Sequence, residues 1–368
     1  VSTGGRTLVV KVGSSSVTTP EGGTDQTLID RMAAELSERH RAGDQVVVVT
    51  SGAIAAGWTA LGRPGPRPTD PALLQAVSAV GQPDLMRSWQ DGFTPHGLRA
   101  GQVLLAPLDF GHRRQYLRAR QTLAHLLDLG VVPVVNENDA VADEEIRFGD
   151  NDRLAALVAH LVGADLLVLL TDTAGLLTAD PRTTAEASLI EEVIEIDHEL
   201  ERLAGGPGSP VGSGGMASKL AAAKIATWSG VTAVIAEAAR PGILDEVVAG
   251  LPGSGTVFRP RPVRLPARKL WIAFALPPSG VLTVDAGARA ALVERGTSLL
   301  PAGVTAVRGD FGPEDAVEVA GPDGSVFAKG LVQLPASRAA DWVGRRSADL
   351  PPDLAPEAVH RDDLVVLT

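Results

Sequence analysis

Six short runs rich in branched aliphatic residues constrain the first two-thirds of this chain more than any other feature: Thr7–Val12, Gln45–Thr50, 100–105, 131–135, Leu166–Thr171 and 232–236. Several are apolar at every position rather than at alternate ones, as expected of strands buried on both faces. Longer segments with helical spacing separate them. In 28–41, Leu28, Met32 and Leu36 recur at every fourth residue, and Gly43 follows as a stop signal. Parallel neighbours need a crossover connection, and helices are what cover the two faces of such a sheet. Strand and helix in alternation therefore predict an α/β domain with a mainly parallel sheet. The Gly-Pro-Arg-rich stretch 62–68 reads as a loop between helices.

After Val257 the texture changes. Arg259-Pro260-Arg261-Pro262-Val263-Arg264-Leu265-Pro266 is basic and proline-rich, which no regular helix tolerates. We place a first domain over 1–258 and a linker over 259–278. Beyond it, short β-rich runs at 280–284, 305–307, 316–319 and 326–331 alternate with Gly, Pro and Asp turns, interrupted by one helical segment at 286–294. That pattern predicts a small β-barrel module over 279–355, followed by a tail over 356–368.

Composition narrows the classes of function. At 368 residues two domains are the default, and a formal charge of −11 disfavours nucleic acid and anionic membranes as generic partners. The absence of cysteine excludes disulfides, thiolate metal sites and cysteine nucleophiles. The first residues hold no basic segment followed by an apolar core, and no apolar run approaches the roughly 20 residues that span a bilayer. A cytoplasmic protein is the expectation.

Ligands of open parallel sheets bind where strands end at their carboxyl side, and the polar motifs of this chain fall at such ends. Lys11-Val12-Gly13-Ser14-Ser15-Ser16 joins an ammonium to a glycine and hydroxyls that suit phosphate oxygens. Thr50-Ser51-Gly52-Ala53 opens a helix, where Ser51 could serve an anion or act only as a cap. Asn136-Glu137-Asn138-Asp139 and Phe148-Gly149-Asp150-Asn151-Asp152 crowd carboxylates and amides together, enough to grip an ammonium group or order nearby lysines; a solvated turn with an N-cap would use the same residue types. Thr171-Asp172 closes another strand and could hold the base or ribose of a nucleotide. Gly212-Ser213-Gly214-Gly215-Met216-Ala217-Ser218-Lys219 leads into an alanine-rich helix and could wrap phosphates, although it does not match the Walker A spacing. Two lysine-bearing phosphate loops with a carboxylate and amide cluster between them suggest phosphoryl transfer, which depends on positioning and charge neutralisation. Seven scattered histidines form no pair of catalytic spacing. An acceptor that is already an anion would need no base.

In this order and over nearly the whole chain, these motifs resemble the glutamate 5-kinase family of the amino-acid-kinase fold, whose members carry a C-terminal PUA domain. The resemblance implies a three-layer sandwich around the sheet, a catalytic domain over 1–258 and a PUA-like domain over 279–355. It implies that ATP, with Mg²⁺, phosphorylates the side-chain carboxylate of L-glutamate in the first step of proline synthesis. Lys11 and Lys219 would then bracket the moving phosphoryl group and Asp152 would hold the two ammonium groups in register. Ser51, Asn136, Asp139, Asp150 and Asn151 would bind glutamate. Lys11, Gly13, Ser14, Thr171, Asp172 and the loop of Ser213, Gly214, Gly215, Met216, Ala217, Ser218 and Lys219 would bind the nucleotide. Arg147 and Leu177 stand where many members have lysine and tyrosine, and Ser213 where threonine is common. The resemblance further implies feedback inhibition by L-proline, a homo-oligomer (dimer or tetramer) and glutamate-5-semialdehyde dehydrogenase as functional partner. Other acceptors within the fold, N-acetylglutamate, aspartate or UMP, are the nearest alternatives, and the paired Asp139 and Asp150 favour a free α-ammonium over the acetylated acid or a nucleotide. RNA binding through the C-terminal module is the alternative of another class; the acidic, aromatic-poor sequence weighs against it.

Overall fold

A computed structural model of the protein describes residues 5–19, 22–62, 69–106, 109–110, 113–141, 151–179, 184, 186–205, 215–262 and 264–367. The chain divides into two compact units, Val1–Arg264 and Leu265–Thr368. In the first, strands β1 (Thr7–Val12), β2 (Gln45–Thr50), β3 (Arg99–Leu105), β4 (Val131–Glu137), β5 (Leu166–Thr171), β6 (Glu192–Val193), β7 (Thr232–Glu237) and β8 (Thr256–Phe258) form one sheet in the order β3-β4-β2-β1-β5-β7-β8-β6. Every adjacent pair is parallel except β7 with β8. The six expected strands form, with ends that differ by one or two residues. Strands β6 and β8 escape the sequence pattern because they are too short to show one.

Side-chain alternation decides what each face receives. Leu8, Val10 and Val12 of β1 enter a core with Ile29, Met32 and Leu36 of one helix and Leu85, Trp89 and Phe93 of another. The α-helices described up to residue 93 are α1 (Ser14–Val17), α2 (Gln26–Arg41), α3 (Ala53–Ala60) and α4 (Pro71–Phe93). Asp25 caps α2 by accepting from Leu28 N–H. Lys11 alternates with the core-facing residues, so it emerges on the opposite face, where helices Asn151–Val162 and Met216–Trp228 pack. Because β1, β2, β4 and β5 are parallel neighbours, their carboxyl ends share one edge of the sheet. Topology thus gathers Lys11 with Gly13, Thr50 with Ser51, Asn136 and Thr171 from four distant parts of the chain.

Helices α3 and α4 touch backbone to backbone at Gly57 and Gly81. A Cβ on Gly81 would fall 1.9 Å from Ala53 O, and one on Gly57 would fall 2.0 Å from Val77 O. Only glycine permits this approach.

The second unit is a five-stranded sheet, β9 (Gly280–Val284), β10 (Val304–Gly309), β11 (Ala316–Ala320), β12 (Val326–Val332) and β13 (Val359–Val366), in the order β10-β9-β11-β12-β13. Its core is built from Leu282, Val284, Val317, Val319, Phe327 and Trp342. Two expectations need correction. The segment 356–368 is no tail, since it supplies β13, antiparallel to β12. His360-Arg361-Asp362-Asp363 interrupts the apolar run and hides a strand whose buried residues are Val359, Leu364 and Val365. The second half of the 259–278 linker is also structured: Ala267–Leu270 is helical and Trp271–Ala275 is a wide π turn. The buried Lys329 ammonium closes that turn by donating to the carbonyls of Ala273 and Leu276. Among the described residues, no helix is long and apolar enough to cross a membrane.

Candidate active site

At the shared strand edge, three charged side chains from three elements meet. Asp152 lies in the first turn of helix Asn151–Val162, Lys11 near the end of β1, and Lys219 in the first turn of helix Met216–Trp228. Lys11 Nζ is 2.6 Å from Asp152 Oδ1 and Lys219 Nζ is 3.2 Å from Asp152 Oδ2. Ser218 Oγ approaches the same Oδ2 at 2.7 Å. The three charged residues are 1%, 5% and 5% exposed for Asp152, Lys11 and Lys219 respectively. Burial pushes the Asp152 carboxyl upward, and the two ammonium groups with the Ser218 hydroxyl more than offset it, holding the carboxyl below the usual carboxylate range. Asp152 is therefore an anion at neutral pH, and it ties the two cations together.

Beside this triad lies a chain of amides. Asn151 Nδ2 donates to Thr50 O at 2.8 Å, to Ser51 Oγ at 2.8 Å and to Asn136 Oδ1 at 3.0 Å. Asn136 Nδ2 in turn donates to Gln82 Oε1 at 2.8 Å. Ser78 Oγ donates to Asp139 Oδ2 at 2.6 Å. Trp89 Nε1 donates to Thr50 Oγ1 at 3.0 Å, which anchors the strand end below Ser51. Ser51, Asn136 and Asn151 are thus brought together, and Asp139 is tied through Ser78 to α4, the same helix that carries Gln82. Ser78, Gln82 and Trp89 of α4 are additions that the sequence reading missed. The available signal was two polar residues four apart, on the buried side of a helix.

The residues expected on the nucleotide side are more loosely arranged. Gly13 is buried against the triad, and a Cβ there would lie 3.5 Å from Lys11 Nζ, in the space beside the ammonium. Ser14 is exposed, whereas Gly215, Met216, Ala217 and Ser218 are half-buried around the start of the helix that carries Lys219. Gly215 offers no side chain to cap that helix, and no side-chain cap is made among the described residues. Thr171 is buried at the end of β5 and donates to the exposed Asp172 at 3.0 Å. Leu177 is half-buried and bridges to Leu189. Asp150, Ser213, Gly214 and Arg147 lie outside the described residues.

Two buried ammonium groups, a side-chain-free Gly13 and an uncapped helix start suit a polyphosphate. The donor set suits a bare metal ion less well: no cluster of three or more His, Cys, Asp or Glu occurs among the described residues, and both oxygens of Asp152 face lysines. An Mg²⁺ ion would fit here as a companion of phosphate oxygens, keeping waters of its own.

The amino acid kinase family matches residues 6–237 and the PUA domain matches residues 280–351. The glutamate 5-kinase of Trichlorobacter lovleyi is 46% identical over 99% of this chain and 97% of its own length. Those of Mycobacterium avium and Mycobacterium tuberculosis are 47% and 48% identical, over 98% and 99% of this chain and 97% and 95% of theirs. Among solved structures, carbamate kinase from Giardia lamblia bound to AMP-PNP superposes with a TM-score of 0.50 at 16% identity, over 69% of this chain and 98% of that one, a likeness of fold. With a buried lysine–aspartate–lysine triad at the sheet edge and relatives of this length and identity, the chain belongs to the amino acid kinase family, in its glutamate 5-kinase group with a C-terminal PUA domain.

Proposed function

We infer that the chain transfers the γ-phosphoryl group of ATP to the side-chain carboxylate of L-glutamate, giving L-glutamyl 5-phosphate and ADP in the first step of proline biosynthesis. The observation that carries this reading is the buried set Lys11, Asp152 and Lys219 beside the amide chain of Asn151 and Asn136. The glutamate carboxylate, with an ordinary pKa of about 4.3, attacks phosphorus as the anion it already is at neutral pH. The bond from phosphorus to the β-γ bridging oxygen breaks, and the electron pair leaves on ADP. Lys11 and Lys219 face the charge that spreads over the transferring oxygens, and Asp152 keeps them at fixed separation. Ser51, Asn136, Asp139, Asn151 and Asp150 hold glutamate, with the carboxylates toward its ammonium group. Gly13, Ser14, Thr171, Asp172 and the loop from Ser213 and Gly214 through Lys219 hold the nucleotide. Mg²⁺, bound with ATP, adds neutralising charge to the phosphates.

The test is ATP- and Mg²⁺-dependent acyl phosphate formation, trapped with hydroxylamine, across L-glutamate, N-acetyl-L-glutamate, L-aspartate and a UMP phosphorylation control. Turnover of L-glutamate alone is expected; turnover of the acetylated acid at an equal rate would remove the role given to Asp139. Three finer readings go with this function: a cytoplasmic homo-oligomer, a product handed to glutamate-5-semialdehyde dehydrogenase, and inhibition by L-proline competing at the glutamate site. A rate left unchanged by high proline in the same assay would refute the last.

A further inference from the structure

The amides beside the triad leave two polar atoms over, and which atoms these are follows from the backbone. A carbonyl can only accept, so Thr50 O requires the nitrogen of Asn151 to face it at 2.8 Å. A backbone N–H can only donate, so Glu137 N requires the oxygen of Asn136 at 2.9 Å. With Asn136 fixed, its nitrogen faces Gln82, and Gln82 must present Oε1 at 2.8 Å. Three side-chain amides, ordinarily ambiguous in orientation, are thus set in one sense. The ends of this relay are Asn151 Oδ1, an acceptor, and Gln82 Nε2, a donor, and both are buried without a hydrogen-bond partner among the described residues.

A buried amide donor left unpaired costs about 1–3 kcal/mol, and Gln82 is only 7% exposed. The acceptor end adjoins Asp152 in the chain and so belongs beside the phosphoryl group. The donor end lies two amides away, on α4, one helical turn beyond Ser78 with its bond to Asp139. We propose that Gln82 is a substrate-binding residue whose Nε2 donates to the α-carboxylate of the acceptor amino acid, a role that rests on the glutamate kinase reading above. One helix then addresses both charged substituents of the α-carbon, Ser78 by orienting Asp139 toward the ammonium and Gln82 by meeting the carboxylate. Asn136 acts as the strut between Gln82 and the reacting end.

The experiment compares Gln82→Glu and Gln82→Met with the wild type, reading kcat, KM for L-glutamate and KM for ATP, and repeating kcat/KM with 4-aminobutyrate, which keeps the amino group and the reacting carboxylate but lacks the α-carboxylate. Glutamate at position 82 retains the oxygen that Asn136 needs and removes the donor. Gln82→Glu is expected to raise KM for L-glutamate by about 10- to 100-fold, with kcat and KM for ATP within about twofold, and to leave kcat/KM for 4-aminobutyrate at its wild-type value. An unchanged KM for L-glutamate, or an equal loss on both acids, would overturn the proposal. Should Gln82→Glu fail to fold, Gln82→Met decides: a raised KM for L-glutamate with kcat retained supports the contact, and a wild-type KM removes it. A wild type that forms no acyl phosphate from L-glutamate overturns the functional reading itself, an outcome visible before any variant is made.

Discussion

Replacing Asp152 with asparagine is expected to lower kcat for glutamate phosphorylation by about 10³-fold, the scale of losing a preorganised electrostatic contact in a closed site. Asparagine keeps the size of the side chain and a group for Ser218 to meet. It removes the charge that holds Lys11 at 2.6 Å and Lys219 at 3.2 Å. Two cations so deeply buried then lack their common counter-charge, and removing one partner from such a set typically costs several kcal/mol of stability. Because the three residues act as a unit, Lys219→Ala combined with Asp152→Asn should lose little more than the worse single variant. Hydroxylamine-trapped product at saturating ATP and L-glutamate gives kcat, and a value within about tenfold of wild type would sink the idea that Asp152 organises the lysines. Acid unfolding gives an independent reading. The Asp152 carboxyl is held below its ordinary value in the folded state, so the unfolded chain binds more protons as pH drops. Its contribution to stability is complete above about pH 4, the unfolded value, and is lost as pH falls through the lower folded value. Asp152→Asn should lack this acid-dependent part of the curve.

What the sequence revealed and what it hid follow from the range of the interactions involved. Strands such as Gln45–Thr50 and Leu166–Thr171 were legible because burial on both faces imposes an apolar residue at every position. The polar strand ends were legible as candidate ligand sites. The meeting of Lys11, Asp152 and Lys219 was not readable from spacing, because it depends on β1 lying between β2 and β5 and on which face Lys11 takes; only the likeness to a known family pointed there. Helix α4 was harder still. Pro83 within it, and Ser78, Gln82 and Ser88 on its buried side, dilute the apolar stripe that marks a helix. Those polar residues are buried because they serve Asp139, Asn136 and Thr24, partners that become neighbours only after folding. At β13 the obstacle was charge: four polar residues in a row mask a strand that is buried at both ends.

Gly81→Ala tests whether α4 must lie where it does. In the interior of an isolated helix this substitution gains about 1 kcal/mol, since alanine is the better helix former. Here the added methyl would fall 1.9 Å from Ala53 O and 2.2 Å from Gly57 N, both backbone atoms that no rotamer change can move aside. Helices α3 and α4 must separate, and overpacking on this scale costs about 3 kcal/mol or more. The net sign is therefore reversed, and a lowered thermal midpoint of the full chain is the expected result; a raised midpoint would show that the helices part freely. Function should follow geometry. Separation draws Ser78 and Gln82 away from Asp139 and Asn136, and shifts the start of α3 behind Ser51. At temperatures where Gly81→Ala remains folded, KM for L-glutamate is expected to rise well before KM for ATP, because α4 bonds the acceptor-side residues while Lys11 and Lys219 rest on β1 and helix Met216–Trp228. Equal increases in both would mean that the crossing of the two helices supports the whole site rather than the half that holds the amino acid.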